Sequence, residues 1–154
     1  EWTLITEFGR KVWAAACFAL SRVEYVKRSG GQRIATIHLG ADMFVRTAYV
    51  PGVWHHELSV LDSAGRSKGG VTVRQDVAGP LCFSGDLVAK DRDLPIIEPG
   101  DLVIVHDVGA YTLSMWSRYN SRRSPAVYGF DDASDELELL RSGETEEDVL
   151  RFWD

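Results

Sequence analysis

The sequence predicts a mainly β domain, a barrel-like sheet or a sandwich, with one buried helix near its start and a short helix at its end. Three observations predict it. Short stretches of strand-like pattern recur along the chain, glycine- and proline-bearing turn signals separate them, and only two stretches read as helix. At 154 residues the chain has the size of one domain, long enough to bury roughly two-thirds of the surface its unfolded form exposes. A content of 45% hydrophobic and 26% charged residues is ordinary for a soluble globular protein.

Taken in order, Glu1 to Thr6 reads as a short strand centred on Leu4 and Ile5, leading into Glu7-Phe8-Gly9-Arg10. Lys11 to Leu20 is alanine-rich and apolar on nearly all sides, which predicts a helix packed on more than one face. Ser21 to Lys27 and Arg33 to Leu39 alternate, and Ser29-Gly30-Gly31-Gln32 between them is a hairpin signal. Ala41 to Val53, broken by Pro51-Gly52, reads as a loop with short strand character. Glu57 to Asp62 and Val71 to Val77 are expected to pair around the solvated turn from Ser63 to Gly70. The Gly79 to Asp86 loop follows, then a linker through Pro95. Glu98-Pro99-Gly100-Asp101 has proline and glycine where a type II turn wants them, and Leu102 to His106 is a buried strand. Ala126 to Phe130 and Leu137 to Leu140 are strands joined by an acidic turn. Thr145 is the expected N-cap of a helix running through Phe152, with Glu146, Glu147 and Asp148 in its first turn.

Several classes of function are disfavoured. A formal net charge of -6 argues against a nucleic-acid surface, and the Arg118, Arg122, Arg123 cluster is too short to reverse that. The longest apolar run, Val12 to Leu20, falls well below the roughly 18 residues of a membrane span. Cys17 and Cys82 form a single far-spaced pair, the usage of a reduced intracellular protein with free thiols rather than of a disulfide scaffold. Glu1-Trp2 opens without a basic segment or initiator methionine, so no signal peptide is visible, and the numbering fits a start inside a longer protein.

The candidate chemistry lies in two glycine-punctuated loops, Gly79 to Asp86 and Gly109 to Asn120. His55-His56 suggests a metal, but adjacent residues on an extended chain point to opposite faces, so no metal is expected. No G-x-S-x-G signature supports a nucleophilic serine. Cys82, between Gly79-Pro80 and Gly85, is either a small core hydrophobe or a thiol presented on a shaped loop. Tyr111, flanked by Gly109-Ala110, is either a packed aromatic or a hydroxyl offered to a ligand. In Glu7-Phe8-Gly9-Arg10 an acid and a cation flank a glycine whose backbone N–H can approach an anion.

Taken together, these stretches resemble the carboxy-terminal part of pyridoxal-phosphate-dependent decarboxylases of the alanine-racemase-like fold type. This is the group of diaminopimelate, ornithine and arginine decarboxylases. The resemblance runs through Glu7 to Arg10, Ser21 to Lys27, Gly79-Pro80-Leu81-Cys82, Lys90 to Pro95, Gly100-Asp101, Gly109-Ala110-Tyr111, Tyr119 to Arg122 and Glu144 to Asp148. Order and spacing match diaminopimelate decarboxylases best. The resemblance implies that residues 1–10 end a (β/α)8 barrel and that 11–154 form the carboxy-terminal β-domain of a head-to-tail homodimer.

Pyridoxal 5'-phosphate is the implied cofactor, an amino acid the implied substrate, and lysine biosynthesis in the cytoplasm, or in a plant's plastid, the implied setting. Glu7 would pair with the pyridine nitrogen, Gly9, Arg10 and Tyr111 would hold the phosphate, and Arg46 would bind the substrate's distal end. Cys82 would reach the partner subunit's site and return a proton to the substrate carbon that loses carbon dioxide.

The chain departs from the family in three ways. Phe8 replaces the proline of the family's Glu-Pro-Gly-Arg element. Phe83 stands where the family carries an acid for the substrate's distal ammonium; its ring offers only a cation-π face, which leaves the substrate open. The barrel with its cofactor lysine is missing, and Lys11, Lys27, Lys68 and Lys90 lie outside that lysine's context, so the chain alone is expected to be inactive. The alternatives are a non-catalytic regulatory or binding β-domain derived from the same family, and a lone β-barrel with another ligand.

Overall fold

The computed structural model describes residues 2–154. They divide into two units, Glu1–Ser117 and Arg118–Asp154.

The first unit is built on a six-stranded sheet. In chain order its strands are β1 (Ala19–Ser29), β2 (Gln32–Ile37), β3 (Leu58–Leu61), β4 (Thr72–Ala78), β5 (Leu87–Pro95) and β6 (Leu102–Val105), and they lie in the order β3-β6-β1-β2-β4-β5. All neighbours are antiparallel except β2 and β4. A parallel pair needs a long crossover, and the chain supplies one through helix α2 (Val45–Tyr49) and β3. The two edge strands approach each other. Arg92 of β5 donates to the carbonyl of His56 at 3.3 Å and pairs with Glu57 at 3.0 Å, beside β3, so the sheet curls into a nearly closed barrel. Val23, Ala35, Ile37, Phe44, Val60, Val77, Val103 and Val105 fill its core. Gln75 is buried among them, and its amide donates to the carbonyls of Leu94 and Pro95 at 3.0 and 2.8 Å.

The turn chemistry that the sequence announces is present. β1 and β2 form the expected hairpin, with Ser29 opposite Gln32 and both turn glycines at positive φ. Asp101 N donates to Glu98 O at 3.1 Å with Gly100 at φ 91°, the geometry of a type II turn. The mainly β, barrel-like class holds.

Other expectations fail, each for a physical reason. Of the strand expected at Glu1 to Thr6, Glu1 lies outside the described residues, and residues 2–6 join no sheet. The helix expected over Lys11 to Leu20 is only α1 (Gly9–Trp13) and a 3₁₀ turn (Ala14–Ala16), and Ala19 already opens β1. Cys17 O accepts from Val108 N and Ala19 pairs with Val105, so sheet pairing captures the second half of the segment. Nor is that helix buried: Trp13 is 63% exposed and α1 buries no residue. Along β1 the alternation slips at a bulge between Val23 and Tyr25, burying the first and leaving the second 47% exposed. β3 and β4 do not pair with each other, because β6 takes β3 while β2 and β5 take β4. The supposed linker through Pro95 is β5, whose charged outer positions disguise a strand that buries Val88, Ala89 and Leu94.

The second unit holds a two-stranded hairpin, β7 (Val127–Asp131) and β8 (Glu136–Arg141), and helix α3 (Glu146–Trp153). Asp131 organises the acidic turn by accepting from Ala133 N and the Ser134 hydroxyl, both at 3.0 Å. Thr145 caps α3 as expected. Asp148 N donates to its hydroxyl oxygen at 3.2 Å, and Thr145 N donates to the Asp148 carboxylate at 2.8 Å, a reciprocal box. Before the helix, Glu144 takes a forked pair of hydrogen bonds from Arg118 at 2.5 and 2.7 Å and one from Ser124 N at 2.7 Å. The Arg118 bonds, then the Ser124 bond, hold the Glu144 carboxyl below its ordinary pKa.

Candidate functional site

The first unit draws the start of the chain and the loop after β6 together. Val108 N donates to Cys17 O and Gly109 N to Ala14 O, both at 3.0 Å. Only glycine fits at 109, since a Cβ there would lie 1.9 Å from the Trp13 carbonyl oxygen. The buried Thr112 hydroxyl donates back to Val108 O and closes the turn. Between these anchors Tyr111 is held at φ 58°, a left-handed conformation that costs a non-glycine residue energy and clusters at functional sites. Tyr111 is 41% exposed, and its hydroxyl lies 3.9 Å from where a Gly9 Cβ would stand. The tyrosine hydroxyl, the glycine and the Arg10 that follows it thus share one locality.

α2 delivers Arg46 to the same place. Phe44 N donates to Gly40 O at 2.8 Å and the Thr47 hydroxyl to Phe44 O at 2.8 Å, which seats the short helix on the buried Phe44 ring. The guanidinium carbon of Arg10 stands 4.1 Å from the Trp54 ring centroid and that of Arg46 4.7 Å from it. Arg46 also lies 4.5 Å from the Tyr111 ring. Each such cation-π contact contributes about 0.5–2 kcal/mol, depending on how far water is excluded. Among the described residues neither arginine pairs with a carboxylate, and Arg10 Nη1 and Arg46 Nε are buried without a hydrogen-bond partner. Two uncompensated cations with unused donors, beside a tyrosine hydroxyl, suit an anion such as a phosphate or carboxylate.

His56 lies beside this cluster. It is buried, its Nδ1 donates to His106 O at 2.9 Å, and its ring tilts against Phe44 at 5.4 Å. Burial pushes its pKa below the ordinary value, and the nearby Arg10 charge adds to that. Its neighbour His55 is exposed, 3.8 Å from Glu57. The two rings therefore face different ways, and among the described residues no group of three His, Cys, Asp or Glu side chains could hold a metal.

The Gly79 to Asp86 loop is a second place, shaped by one buried carboxylate. Asp86 accepts from Ala41 N and Leu81 N, both at 2.6 Å, and Gly79 N donates to Asp86 O at 2.9 Å. Side chains on Gly40 or Gly79 would strike that carboxylate at 2.4 Å, so the two glycines make room for it. At the loop's outer end Cys82 and Phe83 are exposed, and the Phe83 ring lies over Gly85, where a Cβ would approach it to 2.6 Å. Neither Cys82 nor Cys17 is in a disulfide.

Of the residues singled out from sequence, Gly9, Arg10, Arg46 and Tyr111 are therefore brought together. Glu7 is exposed, two residues before Gly9. Cys82 and Phe83 belong to the other loop. Sequence reasoning missed Trp54 and the buried His56 near Arg10. The one signal was an aromatic run, Trp54-His55-His56, one residue after a Pro-Gly turn.

Comparison with known proteins agrees with this topology. The family model described as the C-terminal sheet domain of pyridoxal-dependent decarboxylases matches residues 12–109. The diaminopimelate decarboxylase of Methanothermobacter thermautotrophicus is 37% identical over 145 residues, covering 94% of this chain and 32% of that protein. The enzyme of the same name from Escherichia coli K12 is 36% identical over 152 residues, covering 94% and 35%. The crystal structure of diaminopimelate decarboxylase from Helicobacter pylori complexed with L-lysine superposes with a TM-score of 0.80 at 30% identity, covering 94% and 33%. The chain spans about a third of the length of these relatives. With the model matching most of the barrel-like sheet, this protein belongs to the pyridoxal-dependent decarboxylases of the ornithine, diaminopimelate and arginine group, as their C-terminal sheet domain.

Proposed function

We propose that this domain completes the active site of a diaminopimelate decarboxylase-like enzyme, with residues 1–10 ending the barrel domain and 11–154 forming the β-domain. The observation that carries the reading is the Arg10, Arg46 and Tyr111 cluster, whose orphaned Arg10 Nη1 and Arg46 Nε call for an anion. Gly9, Arg10 and Tyr111 would hold the phosphate of pyridoxal phosphate, and Glu7 its pyridine nitrogen. The cofactor supplies an electron sink for the bond that breaks. Arg46 binds the distal carboxylate of the amino-acid substrate in its own subunit's site, while Phe83, next to Cys82, stands beside that end of the substrate in a partner subunit's site.

Cys82 gives a proton to the substrate carbon that loses carbon dioxide, in the site of a partner subunit. Its exposure on a loop stiffened by Asp86 supports that reach. The exposed apolar side chains of Trp2, Leu4 and Ile5 suit packing within the rest of the barrel domain, and the exposed Trp13 suits contact with it. Without that domain and its cofactor lysine the chain is inactive. The setting is cytoplasmic or plastidial.

The test uses the full-length protein. Cofactor absorbance and release of carbon dioxide from diaminopimelate, lysine, ornithine or arginine are expected; a protein with neither contradicts the reading. Phe83, in place of an acid, favours a second reading, a non-catalytic relative. That protein would bind the cofactor and release carbon dioxide from none of the four.

A further inference from the structure

The least expected feature of the site is its tryptophan. Trp54 faces two like charges at once, with the Arg10 guanidinium carbon 4.1 Å and that of Arg46 4.7 Å from its ring centroid. Stacking a guanidinium on an aromatic face leaves its in-plane N–H groups at the edge, directed away from the ring and available to an oxyanion. The same job done by a carboxylate would neutralise the cation and occupy those donors. Here one buried donor atom on each arginine, Arg10 Nη1 and Arg46 Nε, has no hydrogen-bond partner. Arg46 is stacked twice, because Tyr111 lies 4.5 Å from it, whereas among the described residues Arg10 has its cation-π contact with Trp54.

The loop that presents Trp54 is itself held. It leaves α2 through a turn in which Trp54 N donates to Val50 O at 3.1 Å, and Gly52 takes φ 82°. It ends at the buried His56, anchored to His106 O at 2.9 Å. The backbone that carries the half-buried indole is therefore anchored on both sides.

We propose that Trp54 is a positioning residue: it holds the Arg10 and Arg46 guanidiniums as a pair without neutralising them, so that both present their edges to the oxyanion groups of cofactor and substrate. This rests on the reading of the cluster as an anion site, and the test separates the two. In the full-length protein, inorganic phosphate, pyridoxal phosphate and L-lysine are titrated against the parent, Trp54→Leu and Trp54→Phe. Loss of stacking on two arginines predicts about a tenfold weaker affinity for phosphate and cofactor in Trp54→Leu, and a raised KM with kcat within about threefold. Trp54→Phe keeps a ring face and recovers most of that loss. The urea midpoint of both variants stays near the parent's.

Equal affinities in Trp54→Leu and the parent would overturn the proposal. So would a Trp54→Phe as weak as Trp54→Leu, or an affinity loss matched by lost stability, which would mark the indole as packing alone. A parent that binds phosphate but neither cofactor nor amino acid sinks the decarboxylase reading while leaving Trp54 to be judged by phosphate. A parent that binds no phosphate overturns both.

Discussion

His56 is a buried imidazole whose surroundings oppose a second proton. Burial is the main cause, the His106 carbonyl works the other way by accepting from Nδ1, and the Arg10 cation again disfavours the charge. The folded state therefore binds the proton less readily than the unfolded chain, whose imidazole titrates near pH 6.5. His56 contributes its full stability above that pH. The contribution is lost as pH falls from about 6.5 through the lowered folded-state value. Urea unfolding followed across this window should show the decline, and His56→Gln, which can still donate to the His106 carbonyl, should flatten it. An equal slope in both proteins would mean that His56 is not the group responsible. At this scale the sequence was half legible. Gly9, Arg10 and Tyr111 stand out from their local sequence and Arg46 through a family resemblance, yet nothing in their spacing says that they converge, because the approach of the chain start to Tyr111 depends on the backbone hydrogen bonds that join residues 14–17 to 108–109.

The elements that position the site are short, and they hold their places by close backbone approach more than by length. α1 has five residues and buries none of them, so its location depends on the hydrogen bonds that Ala14 and Cys17 accept from the Gly109 segment. Gly109→Ala would drive a methyl group into the Trp13 carbonyl, where backbone rather than a movable side chain stands in the way. A loss of about 1–3 kcal/mol in urea unfolding is expected, with weaker cofactor affinity in the full-length protein because Tyr111 shifts with the loop. Gly69→Ala, at a site with nothing within 4 Å and no positive φ, is the control and should be neutral. A Gly109→Ala protein as stable as that control would contradict the approach described. Elements specified by local chemistry were readable in advance: the Gly30-Gly31 hairpin, the Pro99-Gly100 turn and the Thr145 cap each carry their own signal within four residues. Pairings between distant segments carry no such signal. β3 and β4 look like neighbours in sequence and are separated in the sheet by β6, β1 and β2.

For the whole molecule, what is exposed says as much as what is buried. Trp2, Leu4, Ile5 and Trp13 lie open at the start of the chain, while Cys82 and Phe83 stand at the tip of a stiff loop. The expected helix of Lys11 to Leu20 has a composition that suits a covered surface, and among the described residues its Ala14 and Ala19 are buried while Val12, Trp13 and Phe18 stay exposed. A domain spanning about a third of its relatives' length is read here as one part of a shared site, giving Arg10 and Tyr111 to its own subunit's cofactor and Cys82 to its neighbour's substrate. Mixing two full-length variants tests this most directly. One carries Cys82→Ala and the other lacks the cofactor lysine of its barrel, and each alone should release carbon dioxide at least about a hundredfold more slowly than the parent. After dissociation and reassociation, random pairing of the two in a symmetric dimer should restore about a quarter of the parent rate, because each mixed dimer holds one complete site. A mixture no more active than its components would contradict the shared site.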